Sequence, residues 1–254
     1  MRQLLLAAAA TAAFIIPSAA QASITITGET GNPGWLTAQI KYAAGGIGGK
    51  PSATALNVYA GRNHLTGYDS DTLAAVSFDS YCIDIFNQLK ANNAEFELGT
   101  FSLADATKKA DLYTLLLSSA NDIANERNTT KKQRIAAAIQ LSIWEIINEA
   151  SGTPYSIGTG NFSVSSTYGS ATNGTASNPS AFNLAQAYLD GLPTATIPAG
   201  NRLRTLEAVN PVSNQRQVFI AAVPEPATWS MLIMGFGIIG GAMRGRRRTT
   251  LSFA

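Results

Sequence analysis

Both ends of the chain carry an uncharged apolar stretch set against arginine, which leaves residues 23–223 as the span free to build a folded core. At the start, Met1-Arg2-Gln3 precedes an uncharged run over residues 4–16, too short to cross a bilayer, and then Pro17-Ser18-Ala19-Ala20-Gln21-Ala22. A positive start, a short apolar run and small residues in an A-x-A pattern mark a secretory signal peptide. The expected cut follows Ala22, so residues 1–22 read as a cleavable signal and the chain as exported.

At the other end, Val223-Pro224-Glu225-Pro226-Ala227-Thr228-Trp229 leads into the uncharged residues 230–243 and then Arg244-Gly245-Arg246-Arg247-Arg248. The roughly 17 mostly apolar residues from Ala227 reach the short limit for a membrane helix. The arginines would hold its end on the cytoplasmic side, with Trp229 at the outer interface. Pro224, Glu225 and Pro226, a Trp three positions on, the Gly-containing apolar run and the cluster Arg244, Arg246, Arg247 and Arg248 together resemble the PEP-CTERM sorting signal. That resemblance implies processing near Pro-Glu-Pro by an exosortase-type enzyme in Gram-negative bacteria that make exopolysaccharide. Residues 224–254 are then a sorting signal with a transmembrane helix. The membrane is a partner only before processing, and the cell surface or extracellular matrix is the destination.

The formal charge of +2 overstates how basic the middle is, because five of the 18 Lys+Arg lie in the two ends. Setting those and Glu225 aside leaves 13 basic against 15 acidic residues. Phosphate binding needs clustered Lys and Arg, so a nucleic-acid partner is excluded.

Residues 23–28, 36–42, 55–60, 73–86 and 95–101 are β-branched or alternating runs bounded by Gly, Pro, Asn and Asp, as strands should be. A helical pattern opens after Ser102-Leu103-Ala104-Asp105, and Ala110, Leu112, Tyr113, Leu116, Leu117 and Ala120 form its apolar face to about residue 124. Thr130 with Gln133 fits a capping box for a second helix, which runs over 134–149 without Gly or Pro. Residues 151–180, rich in Ser, Thr, Gly and Asn with Tyr155, Phe162 and Tyr168 spaced through them, read as a long exposed loop or irregular hairpin. Ser180 caps a short helix over 181–189, and residues 202–209 and 215–222 read as closing strands. The expected class is α+β: a β-sandwich- or barrel-like sheet with a helical subdomain, in one domain.

In the second helix, Ile135, Ile139 and Ile143 repeat at helical spacing, and Gln140 lies four residues from both Ala136 and Trp144. Its amide must be paired or chemically used, since an unsatisfied buried polar group costs roughly 1–3 kcal/mol. A bond to a nearby backbone group is the plain alternative. Cys82, the one cysteine, cannot form an internal disulfide; it is a buried small hydrophobe, an intermolecular partner or a reactive group.

Tyr81-Cys82-Ile83-Asp84 and Ile139-Gln140-Leu141-Ser142-Ile143-Trp144 together resemble the two signature motifs of the bacterial thioester domains found in surface adhesins. The resemblance implies that Cys82 and Gln140 are joined, with loss of ammonia, in an internal thioester. It also implies a sandwich-like part carrying the Cys and a helical part carrying the Gln. Ser142 stands where Ala is usual, and both are small. A thiolate is the side-chain nucleophile suited to displacing ammonia from an amide, and the product is an activated acyl group awaiting an amine or hydroxyl. Tyr81, Ile83, Ile139 and Trp144 supply the apolar surroundings; Asp84 either orders nearby backbone or shuttles a proton.

Other constellations are weaker. His64, the one histidine, lies in Arg62-Asn63-His64-Leu65-Thr66-Gly67, a loop by composition; a Cys82/His64 pair would make a cysteine hydrolase. One His, one Cys and scattered carboxylates offer no metal cluster, and no cofactor motif appears. Gly45-Gly46-Ile47-Gly48-Gly49-Lys50 is followed by Pro51 where a phosphate loop needs Ser or Thr. The expectation is an exported adhesin, not an enzyme, that acylates an amine or hydroxyl of an unidentified surface protein or polysaccharide. The alternative is a non-reactive structural or binding component of the exopolysaccharide matrix.

Overall fold

A computed structural model describes residues 23–42, 55–85, 87–101, 103–192, 203–210 and 213–221, with Met234 and Phe236 from the tail. The signal over 1–22, the glycine-rich run over 45–51 and the sorting residues Pro224, Glu225, Pro226, Trp229, Arg244, Arg246, Arg247 and Arg248 lie outside the described residues. Among those described, no helix is long and apolar enough to cross a membrane.

The chain is α+β. Strands β1 (Ser23–Gly31), β2 (Leu36–Tyr42), β3 (Leu56–Ala60), β4 (Asn63–Asp69), β5 (Ala75–Cys82) and β6 (Ala94–Thr100) precede helices α1 (Ala106–Asn125) and α2 (Thr129–Asn148). Then come β7 (Phe162–Val164), a 3-10 turn at Ser170–Thr172, α3 (Ala181–Asp190), β8 (Leu203–Asn210) and β9 (Gln217–Ile220). Six strands close a barrel in the order β1-β4-β5-β9-β8-β6, and β3-β2-β7 form a second sheet. Ile24, Ile26, Leu65, Ala94, Phe96 and Leu206 fill the barrel, while a larger core joins the second sheet to the helices and to the Cys82 end of β5.

The sequence expectations fail at two places for identifiable reasons. Residues 63–69 form β4, not a loop. Asn63 and Leu65 point inward and are buried while Thr66 is exposed, so a single apolar side chain marks the strand. Asn63 is satisfied by Gln217 Oε1 at 3.1 Å, from the far end of the chain. The expected capping box does not form at Thr130 and Gln133. Asn128 caps α2, its Oδ1 accepting from Lys131 N at 3.0 Å, and Gln133 Nε2 instead donates to Pro33 O at 3.1 Å. The 151–180 segment is largely exposed and irregular, as expected, but it is anchored: Ile157, Phe162, Val164 and Ala171 are buried, and β7 adds Phe162 and Val164 to the edge of β2. At α3 the expectation holds, with Ser180 Oγ accepting from Asn183 N at 3.2 Å.

Candidate functional site

Cys82 is the last residue of β5, where Tyr81 and Cys82 pair with Val218 and Gln217 of β9. The chain leaves the barrel there, toward α2. Gln140 sits at the middle of α2, on a face made close-fitting by Ala136 and Ala137, both fully buried. Strand end and helix meet side chain to backbone. Cys82 N donates to Gln140 Oε1 at 2.9 Å, and Gln140 Nε2 donates to Cys82 O at 2.7 Å. The amide is thus held at both ends by the residue that carries the thiol. With a C=O bond of about 1.2 Å, its Cδ lies one bond behind an oxygen already in contact with Cys82.

The sulfur is buried too. Cys82 Sγ donates to Asp84 O at 3.0 Å, and burial pushes the thiol well above its ordinary range. Trp144, one turn beyond Gln140, brings its indole N–H to the sulfur's side, where it favours the thiolate. That approach does not complete a hydrogen bond, so buried Nε1 has no acceptor. The Asp84 carboxylate accepts from the side-chain Nδ2 of Asn87, and its carbonyl accepts from Gln215 Nε2 at 2.9 Å. Ser142 Oγ bonds to Ala138 O at 2.9 Å and Ala185 O at 3.2 Å, tying α2 to α3. Tyr81, Ile83 and Ile139 are buried around the pair.

A cleft of about 680 Å³ reaches this floor, with Cys82, Gln140 and Trp144 among its lining residues and Trp35, Tyr59 and Glu29 on its walls. Trp35, Tyr59 and Glu29 carried no motif and were not singled out from the sequence; only the approach of β1 in the barrel and the β2–β3 sheet brings them to one cleft with Cys82.

His64 does not approach Cys82. Its Nδ1 contacts Asp79 Oδ1 at 2.9 Å and its Nε2 contacts Ser77 Oγ at 3.1 Å, across the β4–β5 pair. Asp79 also takes Arg62 at 3.0 Å and Asn32 at 3.2 Å. The order Ser-His-Asp has the connectivity of a catalytic triad. These side chains lie on the strands' outer face, outside the cleft lining, and clasp β4 to β5 and to the turn after β1.

Residues 222–248 match the PEP-CTERM protein-sorting motif. The chain therefore carries a sorting signal, which implies export, exosortase processing and a place at the surface or outside the cell afterwards. No curated protein and no solved structure matches the chain.

Proposed function

We propose that the exported domain is a covalent adhesin whose Cys82 and Gln140 condense to an internal thioester. The observation that carries this reading is the two-ended pairing of the Gln140 amide with Cys82 at the floor of an open cleft. In the condensation, Cys82 Sγ attacks Gln140 Cδ, the C–N bond breaks, and the leaving nitrogen takes up the thiol proton and departs as ammonia. The Cys82 N–H already contacts the oxygen on which negative charge develops, at a distance suited to an oxyanion donor. Burial disfavours a free thiolate here, so the uncharged thioester is the better-tolerated form of this sulfur. The product would tie strand to helix until a nucleophile entering the cleft takes the acyl group.

A second reading has its own support. Hydrogen bonds at both ends of the Gln140 amide suit a structural clamp in a non-reactive matrix protein. The intact mass of the exported protein separates the two. The thioester reading expects a deficit of one ammonia, abolished by Cys82→Ala and by Gln140→Ala, and expects methylamine to label Gln140 while freeing the Cys82 thiol. A full calculated mass with a titratable thiol overturns it and leaves the clamp.

A further inference from the structure

We propose that the cleft over Cys82 and Gln140 selects a cationic primary amine, with Glu29 holding its ammonium group and Trp35 offering an aromatic face beside it. This rests on the thioester reading and names the nucleophile that reading leaves open.

Three observations converge on a cation. Among the described residues that line the cleft, Glu29 is the one with a charged side chain, and there is no Lys, Arg or His. Glu29 Oε2 is buried without a hydrogen-bond partner, and burial raises its pKa above the ordinary carboxylate value. A desolvated carboxylate oxygen lining a cleft is a strong site for an N–H donor carrying positive charge.

The third observation is how Trp35 is held. A Cβ on Gly31 would come within 2.9 Å of the indole, and one on Gly61 within 3.0 Å, so both positions are cut back to seat the ring. Its Nε1 donates to Asn63 Oδ1 at 2.8 Å, and Asn63 is in turn fixed by Gln217. The ring remains 40% exposed, with the Tyr59 ring centroid 6.4 Å away and Tyr59 itself 71% exposed. A fixed, half-open indole attracts a cation through its π face. A neutral sugar fits less well, because two of the cleft amides that would bind its hydroxyls are committed internally. Asn63 serves Trp35 and Gln217, and Gln215 serves Asp84, Asn87 and Gln217.

The transfer balances with these groups. The bound ammonium passes one proton to Glu29, the free amine attacks Gln140 Cδ, and the C–S bond breaks. The sulfur takes a second proton from the nitrogen, leaving an amide on Gln140 and a thiol on Cys82, and Glu29 returns its proton to water. Glu29 is a positioning residue and proton acceptor for the incoming group.

The test uses the exported protein and follows Gln140 adduct mass and Cys82 thiol release together. Cadaverine should react in wild type, and Glu29→Gln should slow it roughly 10- to 100-fold, the size of a lost hydrogen bond to a charged group. Neutral hydroxylamine should react with both proteins within about twofold, a split that a merely structural Glu29 would not produce. Without any variant, tetramethylammonium should protect wild type from hydroxylamine in a saturable way, whereas neopentyl alcohol should not. Acetyl-lysine amide and glucosamine then tell a protein partner from a polysaccharide, either one supporting the proposal by outpacing its hydroxyl analogue. Equal effects of Glu29→Gln on both nucleophiles, or equal protection by the neutral isostere, overturn the proposal while the thioester stands. A wild-type mass with no ammonia deficit overturns the thioester reading beneath it.

Discussion

The side-chain amide of Gln140 pairs with the backbone of Cys82 as a neighbouring strand would, accepting from its N–H at 2.9 Å and donating to its carbonyl at 2.7 Å. A helix side chain thereby completes the hydrogen bonding of the last residue of β5, just where the barrel ladder ends. This pairing ties the helical layer to the barrel at the residue that carries the chain's single thiol.

Cys82→Ser keeps this backbone pairing and removes the sulfur. With a cross-link spanning 58 residues, the substitution lowers unfolding stability by roughly 4 kcal/mol in the chain-entropy treatment. With the clamp alone, the loss stays below about 1 kcal/mol, close to a conservative exchange. Urea unfolding of both proteins, read beside their intact masses, decides it, and the expected outcome is the larger loss.

Glu145 is fully buried, and burial, with the neighbouring Glu149 adding to it, lifts its pKa to about 8 from 4.5. The folded state therefore holds a proton that the unfolded state releases near pH 4.5. This contribution to stability is greatest below that pH and is lost as pH rises through about 8. Its Oε1 accepts from Ser156 N at 2.8 Å, an acceptor that Gln retains. Glu145→Gln should flatten the decline and make the protein more stable at pH 8.5 by at least about 1 kcal/mol, or roughly 2–4 °C in Tm. Thermal melts of both proteins at pH 5.5 and 8.5 measure this; parallel pH profiles would refute it.

Asn128, not Thr130, supplies the cap of α2. Asn128→Ala should cost about 1 kcal/mol, whereas Thr130→Ala should stay within about 0.5 kcal/mol. Chemical denaturation of the two single variants distinguishes the capped residue from the one whose spacing suggested a cap.

The sorting motif over 222–248 implies that the mature protein lacks its arginine cluster. Mass spectrometry of surface-extracted protein should find peptides through residue 216 and none containing Arg246, Arg247 or Arg248. Recovery of those peptides from the surface fraction would count against processing.

Much of the fold was legible because its signals are local. Alternation and turn residues mark β2, β3 and β6, helical spacing marks α1 and α2, and Ser180 marks the start of α3. β4 was not legible, since Leu65 is its one fully buried apolar side chain and Asn63 is buried on a partner 154 positions away. The core role of residues 151–180 was hidden in the same way, because Phe162 and Val164 become core only when β2 lies beside them.

By itself, the sequence determined where α1 and α3 begin, that the C-terminal end carries a sorting motif, and which two short motifs to set side by side, since each depends on residues close together in the chain. Only the tertiary structure decided that Cys82 and Gln140 touch, that His64 belongs to Asp79 and Ser77, and that Glu29 and Trp35 line the same cleft as Cys82. Those relationships arise from closure of the barrel and docking of α2, and the burial that sets their chemistry does not exist until distant segments have excluded water together.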